Sequence, residues 1–298
     1  ATYRRLCAAG QRAADPAAIA LVELPTSPIE PGRPTAAGGD LSFRCLRAAV
    51  EAALAGRADA VMTAPIAKTA WHLAGHRYPG QTEVLTEMTG ARCAGMLFVA
   101  RSPRTGWTLR VLLATTHIPL SRVSAVLDEA RVEGHLTLLF ESLAIDFGLT
   151  APRIAVAGLN PHAGEGGRIG SEEADWLTPL LERWRGRGVD GPVPPDTLWV
   201  APGRAWWETG VSGHDAYLAL YHDQGLIPVK MLAFDQAVNT TIGLPIVRTS
   251  PDHGTAFDIA GRGIARPDST IAALALACDL AAARKRASLE SPSIPQSV

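Results

Sequence analysis

The stretch Met96-Leu-Phe-Val-Ala-Arg-Ser-Pro-Arg-Thr-Gly-Trp-Thr-Leu-Arg-Val-Leu-Leu-Ala-Thr-Thr-His117 decides the fold. Met96–Ala100 and Trp107–Thr115 are apolar runs of strand length, and Pro103–Gly106 between them is turn chemistry, so the pair predicts a hairpin. Working outward, strand-like runs alternate with helical patterns. Upstream, residues 41–55 carry a helical period that ends near Gly56, and Ala60–Ala64 is a short buried-strand run closed by Pro65. Downstream, a long helical stretch follows Pro119, with a break expected near Gly134. Arg153–Ala157 reads as a strand, followed by a glycine-rich loop and a helix from about Ser171 to Arg185. Residues 186–205, with Pro192, Pro194, Pro195 and Pro202, are expected to be an irregular connection. Tyr217–Tyr221 and Val238–Val247 read as later strands. The alanine-rich residues 271–283 read as a packed helix with a basic C-terminal end at Arg284, Lys285 and Arg286, and the segment after Ser288 as disordered. This alternation implies an α/β sheet with helices on both faces, antiparallel in part because of the hairpin.

Composition narrows the function. At 47% hydrophobic and 19% charged, 298 residues can bury a sizeable core in one large domain or two lobes. A net charge of −1 supplies no field to gather nucleic acid or an anionic membrane, so an anionic substrate must be held by local groups. No apolar run is long enough to span a bilayer. Cys7, Cys45, Cys93 and Cys278 are scattered without a CxxC pair, which argues against a thiolate metal site or a disulfide framework and fits a cytoplasmic protein. Lysine occurs three times, at Lys68, Lys230 and Lys285, against a background of arginine. A retained lysine suits a place that needs a compact, flexible ammonium, although Lys285 on a solvated tail needs no such reason.

Three histidines close strand-like runs: His117 after Leu112-Leu-Ala-Thr-Thr, His162 after Ile154-Ala-Val-Ala-Gly-Leu-Asn-Pro, and His222 after Tyr217-Leu-Ala-Leu-Tyr. Ligands collect outside strand ends in open α/β sheets, and three imidazoles there would bind a divalent ion with positions to spare. A single strand-end histidine that merely caps a backbone group is the plainer reading of each. Asn160-Pro-His-Ala-Gly-Glu-Gly-Gly-Arg-Ile-Gly170 is dense enough in glycine to bring backbone N–H groups close to an anion. Asp223, beside His222, could orient an imidazole. Lys68, Lys230, Asn239 and Arg248 supply cations and a donor suited to carboxylate and phosphate. No GxGxxG follows a first strand, so a nicotinamide cofactor would need another loop. Asp252-His-Gly-Thr-Ala-Phe-Asp-Ile-Ala-Gly-Arg-Gly-Ile-Ala-Arg-Pro267 is the candidate, through His253, Gly254, Thr255, Asp258 and Gly261.

Taken together, Thr63-Ala-Pro-Ile-Ala-Lys68, Gly80-Gln-Thr-Glu83, Ala114-Thr-Thr-His117, Gly158-Leu-Asn-Pro-His-Ala-Gly-Glu-Gly166, Tyr221-His-Asp-Gln-Gly225 and Arg248-Thr-Ser-Pro-Asp-His-Gly-Thr255 resemble the 4-hydroxythreonine-4-phosphate dehydrogenase (PdxA) family, from about residue 40 to 285. The resemblance implies a two-lobed α/β/α sandwich like isocitrate and isopropylmalate dehydrogenases, with the active site in the cleft. Residues 1–75 with 238–298 would form the cofactor-side lobe, and residues 76–237 the metal-binding and dimerisation lobe. It also implies NAD or NADP as cofactor and one divalent ion (zinc, cobalt, manganese, nickel or magnesium) on His117, His162 and His222. Substrate contacts would come from Gln81, Thr82, Lys230, Asn239 and Arg248. The implied assembly is a homodimer that shares its metal ligands across the interface. The implied reaction oxidises and decarboxylates 4-phosphohydroxy-L-threonine to 3-amino-2-oxopropyl phosphate in vitamin B6 synthesis, with Lys230 or Asp223 as the candidate general base. No partner beyond the small substrate is implied, neither nucleic acid nor membrane.

Two departures keep alternatives open. The family usually places histidine where Gln81 stands, and glutamine cannot carry a proton. A paralogue acting on threonate or erythronate 4-phosphate or on a dihydrodiol carboxylate is therefore a second expectation. The family's opening strand and Gly-Asp-Pro-type turn are also missing before Ala1-Thr-Tyr-Arg-Arg, which raises the further expectation of a non-catalytic metal- or phosphate-binding relic. An acyl-phosphate transferase is a last option on fold grounds, and it would not need three strand-end histidines.

Overall fold

Alternation along the strands sorts side chains onto two cores. In β2 (Gly95–Arg101), Leu97 and Val99 point to one face while Phe98 and Ala100 point to the other. The first face is closed by α4 (Glu129–Phe147) and α5 (Thr178–Trp184), through Leu136, Leu139, Leu143, Leu180 and Leu181. The second is closed by α6 (Val200–Trp207) and α7 (His222–Ala233), through Trp206, Leu226 and Val229. A third core, Phe43, Leu46, Val50, Trp71, Leu85 and Ile246, lies under α1 (Ala36–Leu54), α2 (Lys68–Leu73) and α3 (Gln81–Thr89). The computed structural model describes Ala20 and residues 22–290. The Ala1-Thr-Tyr-Arg-Arg start and the end of the tail beyond Glu290 lie outside the described residues.

The remaining strands are β1 (Ala60–Met62), β3 (Thr108–Leu113), β4 (Ile154–Ala157), β5 (Val189–Val193), β6 (Ala216–Ala219), β7 (Val238–Ile242) and β8 (Val247–Pro251), and the last helix is α8 (Asp268–Glu290). One eight-stranded sheet results, in the order β1-β8-β7-β2-β3-β6-β4-β5. The predicted hairpin is present, with Met96 opposite Leu113 and Arg101 opposite Thr108. The β8–β7–β2–β3 segment is antiparallel, and the β3–β6–β4–β5 half is parallel.

Four local expectations are corrected. Helix α4 runs through Gly134 without interruption, and the break falls earlier, where Asp128 accepts the N–H of Arg131 and caps the helix. The proline-rich 186–205 stretch is not irregular: it holds β5 and the start of α6. Pro192 is tolerated because β5 is an edge strand, paired with β4 alone. Val238–Val247 is two strands, since Gly243 at φ +85° turns the chain between β7 and β8. Helix α8 continues to Glu290, so Arg284, Lys285 and Arg286 do not form its last turn, and Arg284 pairs instead with the buried Asp146 of α4.

Candidate active site

The substrate residues predicted from sequence converge on one cavity of about 600 Å³. Its lining includes Lys68, Gln81, Thr82, His117, Lys230, Asn239, Arg248, His253 and Gly254. The elements explain the meeting. Strands β1 and β8 are parallel neighbours, with Val61 paired to Arg248. The chain leaves β1 through Thr63 and Ala64 towards Lys68 at the start of α2. Gly80 opens α3 with no side-chain cap, so the first N–H groups of that helix are free at the cavity wall, a placement that favours an anion.

Arg248 is the centre of the arrangement. It is 5% exposed. Its Nη1 donates to Thr241 Oγ1 at 2.9 Å, and its Nη2 donates to Thr63 Oγ1 at 2.8 Å and to Gln81 Oε1 at 2.7 Å. Every one of these acceptors is neutral, and Nε has no partner. Burial pulls the guanidinium down to about 10, which still leaves it charged at neutral pH. A buried cation with no carboxylate against it is costly unless an anion arrives. Asn239 Oδ1, in the same lining, is likewise buried without a partner. Lys230 differs, since its Nζ is bound to Asp252 Oδ2 at 2.6 Å.

The three histidines are not brought together within the chain. His117 and His222 are neighbours, with ring centroids 5.7 Å apart. His162 is exposed in the loop Pro161–Gly167. Among the described residues no group of three or more His, Cys, Asp or Glu is placed to hold a metal. Within one chain the strand–His pattern yields a pair plus a separate third: His162 sits on a left-handed turn (φ 53°), and His222 opens helix α7 rather than ending β6. The pair nevertheless has the chemistry of ligands. Asp223 Oδ1 lies 2.7 Å from His222 Nδ1, so Nε2 is the ring nitrogen that Asp223 does not engage. Partial burial, then Lys68, then His222, hold His117 below the ordinary histidine value, so its ring is neutral at pH 7.

In the candidate cofactor loop, His253 and Gly254 line both this cavity and an adjoining groove of about 390 Å³ that also takes Ala256, Ile259 and Arg266. Thr255, Asp258 and Gly261 belong to the same loop but are absent from both linings. Sequence reading missed Thr63 and Thr241, which hold Arg248, and Asp252 as the partner of Lys230. The polar Thr240-Thr241 pair inside the apolar run from Val238 to Ile242 was the available signal.

An anion cradle built on an unneutralised guanidinium, beside two neighbouring imidazoles in a mixed α/β sheet, is a site suited to a small acidic molecule. Comparison with known proteins makes the assignment specific. The family model described as pyridoxal phosphate biosynthetic protein PdxA matches residues 4–277. A 4-hydroxythreonine-4-phosphate dehydrogenase from Synechocystis sp. is 57% identical over 295 residues, covering 96% of this chain and 84% of that protein. The crystal structure of 4-hydroxythreonine-4-phosphate dehydrogenase from Klebsiella pneumoniae superposes with a TM-score of 0.74 at 41% identity, over 87% of this chain and 77% of that one. A terephthalate 1,2-cis-dihydrodiol dehydrogenase from Burkholderia xenovorans is more distant, with a TM-score of 0.60 at 31% identity over 87% of this chain and 79% of that one. The chain belongs to the PdxA family.

Proposed function

We propose that this chain oxidises and decarboxylates 4-phosphohydroxy-L-threonine to 3-amino-2-oxopropyl phosphate, with NAD or NADP as hydride acceptor, in vitamin B6 synthesis in the cytoplasm. One observation carries the reading: Arg248 is a buried, charged guanidinium with no anionic partner, facing the cavity that Lys68 and Lys230 also line. A substrate bearing phosphate and carboxylate supplies the missing charges. Thr82 and Asn239 add polar contacts, and Gln81, in the same lining, accepts from Arg248 and orients it. The relatives named for this activity are 57% and 41% identical to this chain, against 31% for the dihydrodiol dehydrogenase, which favours this substrate over a dihydrodiol carboxylate.

His117, His162 and His222 would hold one divalent cation, whose charge acidifies an adjacent hydroxyl and steadies the negative charge left as carbon dioxide departs. The neutral His117 and the Asp223-oriented His222 fit that role. The loop carrying His253, Gly254, Thr255, Asp258 and Gly261 would hold the dinucleotide, with the groove beside the cavity as its bed. Lys230, already paired with Asp252, serves to hold substrate, and Asp223 serves to orient His222. The division into a cofactor-side lobe (1–75 and 238–298) and a metal-side lobe (76–237) accords with a cavity lined from both sets. His162 would reach its partners in a homodimer, where it meets the pair of a second copy.

The test follows reduced nicotinamide by absorbance with 4-phosphohydroxy-L-threonine, before and after chelation and after metal is restored. Turnover that chelator abolishes and metal restores is expected. Absence of turnover in the metal-restored protein overturns the substrate assignment.

A further inference from the structure

Buried side chains link the three histidine-bearing segments through the backbone of Leu220 and Gly158. Thr115, two residues before His117, donates Oγ1 to the carbonyl of Leu220 at 2.8 Å. The N–H of Leu220, two residues before His222, donates to Gln224 Oε1 at 2.7 Å. Gln224 Nε2 then donates to the carbonyl of Gly158 at 2.7 Å, four residues before His162. Thr115 and Gln224 are both buried, and every bond in the chain of contacts is short. The His162 segment needs such fixing. His162, Ala163 and Glu165 sit at φ 53°, 51° and 45°, in the left-handed region that costs a residue with a Cβ on the order of 1 kcal/mol each. The far side of that turn is anchored separately, by buried Glu173, which accepts the N–H of Asn160 at 2.7 Å and its Nδ2 at 2.8 Å.

We infer that Thr115 and Gln224 form a buried polar clamp that sets the mutual positions of the His117, His162 and His222 segments, and that Gln224 is a positioning residue for the metal-binding imidazoles. Neither side chain lines the main cavity, so neither is placed to touch substrate there. The length and two-ended chemistry of the Gln224 amide bridge the β6 end to the base of the His162 turn. A carboxylate in its place keeps the acceptor for Leu220 but sets an oxygen against the Gly158 carbonyl. The inference rests on the three-histidine metal reading.

The test titrates chelator-treated full chain with Co2+ and reads visible absorption, alongside thermal unfolding without metal. Gln224→Glu and Thr115→Val are expected to bind Co2+ about 10–100-fold more weakly than the parent chain. Thr115→Ser restores the hydroxyl and is expected to restore affinity. Ser102→Ala removes a buried hydroxyl bonded to the Trp206 carbonyl, away from the cavity, and is expected to lower stability without changing Co2+ affinity. If Gln224→Glu and Thr115→Val melt lower yet bind Co2+ like the parent chain, the clamp is only structural and the inference falls. Should Gln224→Glu fail to fold, the Thr115→Val and Thr115→Ser pair decides. A parent chain that binds no Co2+ overturns the metal reading itself, a result distinct from unchanged affinity in the variants.

Discussion

Arg248 Nη2 donates to Gln81 Oε1 at 2.7 Å, while Gln81 Nε2 donates to the Ala64 carbonyl at 3.0 Å. The amide is therefore locked with its oxygen towards the guanidinium, and it shapes the cradle without neutralising it. Gln81→Glu would supply internally the anion that the cradle lacks. Hydrogen bonds to a charged group contribute roughly 1.5–3 kcal/mol, so phosphate affinity should fall on the order of 10–100-fold. Calorimetric titration with inorganic phosphate checks this. Unchanged affinity would remove Arg248 from the anion site.

His117 gives a pH prediction with a definite sign. Its folded value lies below the ordinary 6.5, through burial first, then Lys68 and His222, with Glu83 opposing. The unfolded chain binds the proton more readily, so stability linked to His117 is fully present above about pH 6.5 and is lost as pH falls below it towards the folded value. Lys68→Met removes one of the depressing charges. The ring-proton titration of His117, followed by NMR in chelator-treated protein, should then move upward. A midpoint that stays put or moves down would show that Lys68 does not act on this imidazole.

These two sites also show how far the sequence could be read. Arg248, Asn239 and Lys230 were visible as cations and a donor, Gln81 only through the family resemblance, and the fold brings all four to one cavity. Thr63 and Thr241 were not visible, because a threonine in a strand has ordinary β propensity and only the β1–β8 pairing and the Arg248 side chain reveal its use. The His162 turn failed for a different reason. Glycines at 164, 166 and 167 advertise a special backbone, but left-handed His162, Ala163 and Glu165 are imposed by the tertiary anchors on Asn160 and Gly158. Gly134 misled because a helix interior tolerates glycine when packing holds it.

Two helical glycines, Gly134 and Gly39, sit in opposite surroundings. A Cβ on Gly134 would meet nothing within 4 Å, so Gly134→Ala should stabilise the protein by about 0.8–1 kcal/mol through helix propensity alone. Gly39 is also helical, but a Cβ there would lie 2.0 Å from the carbonyl oxygen of Ala70, where α1 presses on the backbone of α2. Backbone cannot step aside as a flexible side chain would. Gly39→Ala should cost about 3 kcal/mol or prevent folding. Chemical denaturation of the two variants should give changes of opposite sign, and a neutral Gly39→Ala would mean that the α1–α2 contact is not as close as described.

Helix α7 carries His222 at its start and an exposed apolar face along its length. Ile227, Met231 and Phe234 follow the i, i+4, i+7 spacing of one helix face and are 58%, 80% and 56% exposed. This exposed apolar stripe, whose Ile227 lines a groove with His117 and His222, is the surface that the proposed homodimer would use. Met231→Glu combined with Phe234→Glu places charge on that stripe while leaving the core side of the helix, Leu226 and Val229, untouched. Light scattering should report a monomer for the double variant. If His162 serves the pair of a second copy, the monomer should also lose Co2+ binding while its helical circular dichroism is retained. A monomer that still binds Co2+ as the parent chain does would show that each chain closes its own site. A dimer that persists would move the interface elsewhere on the molecule.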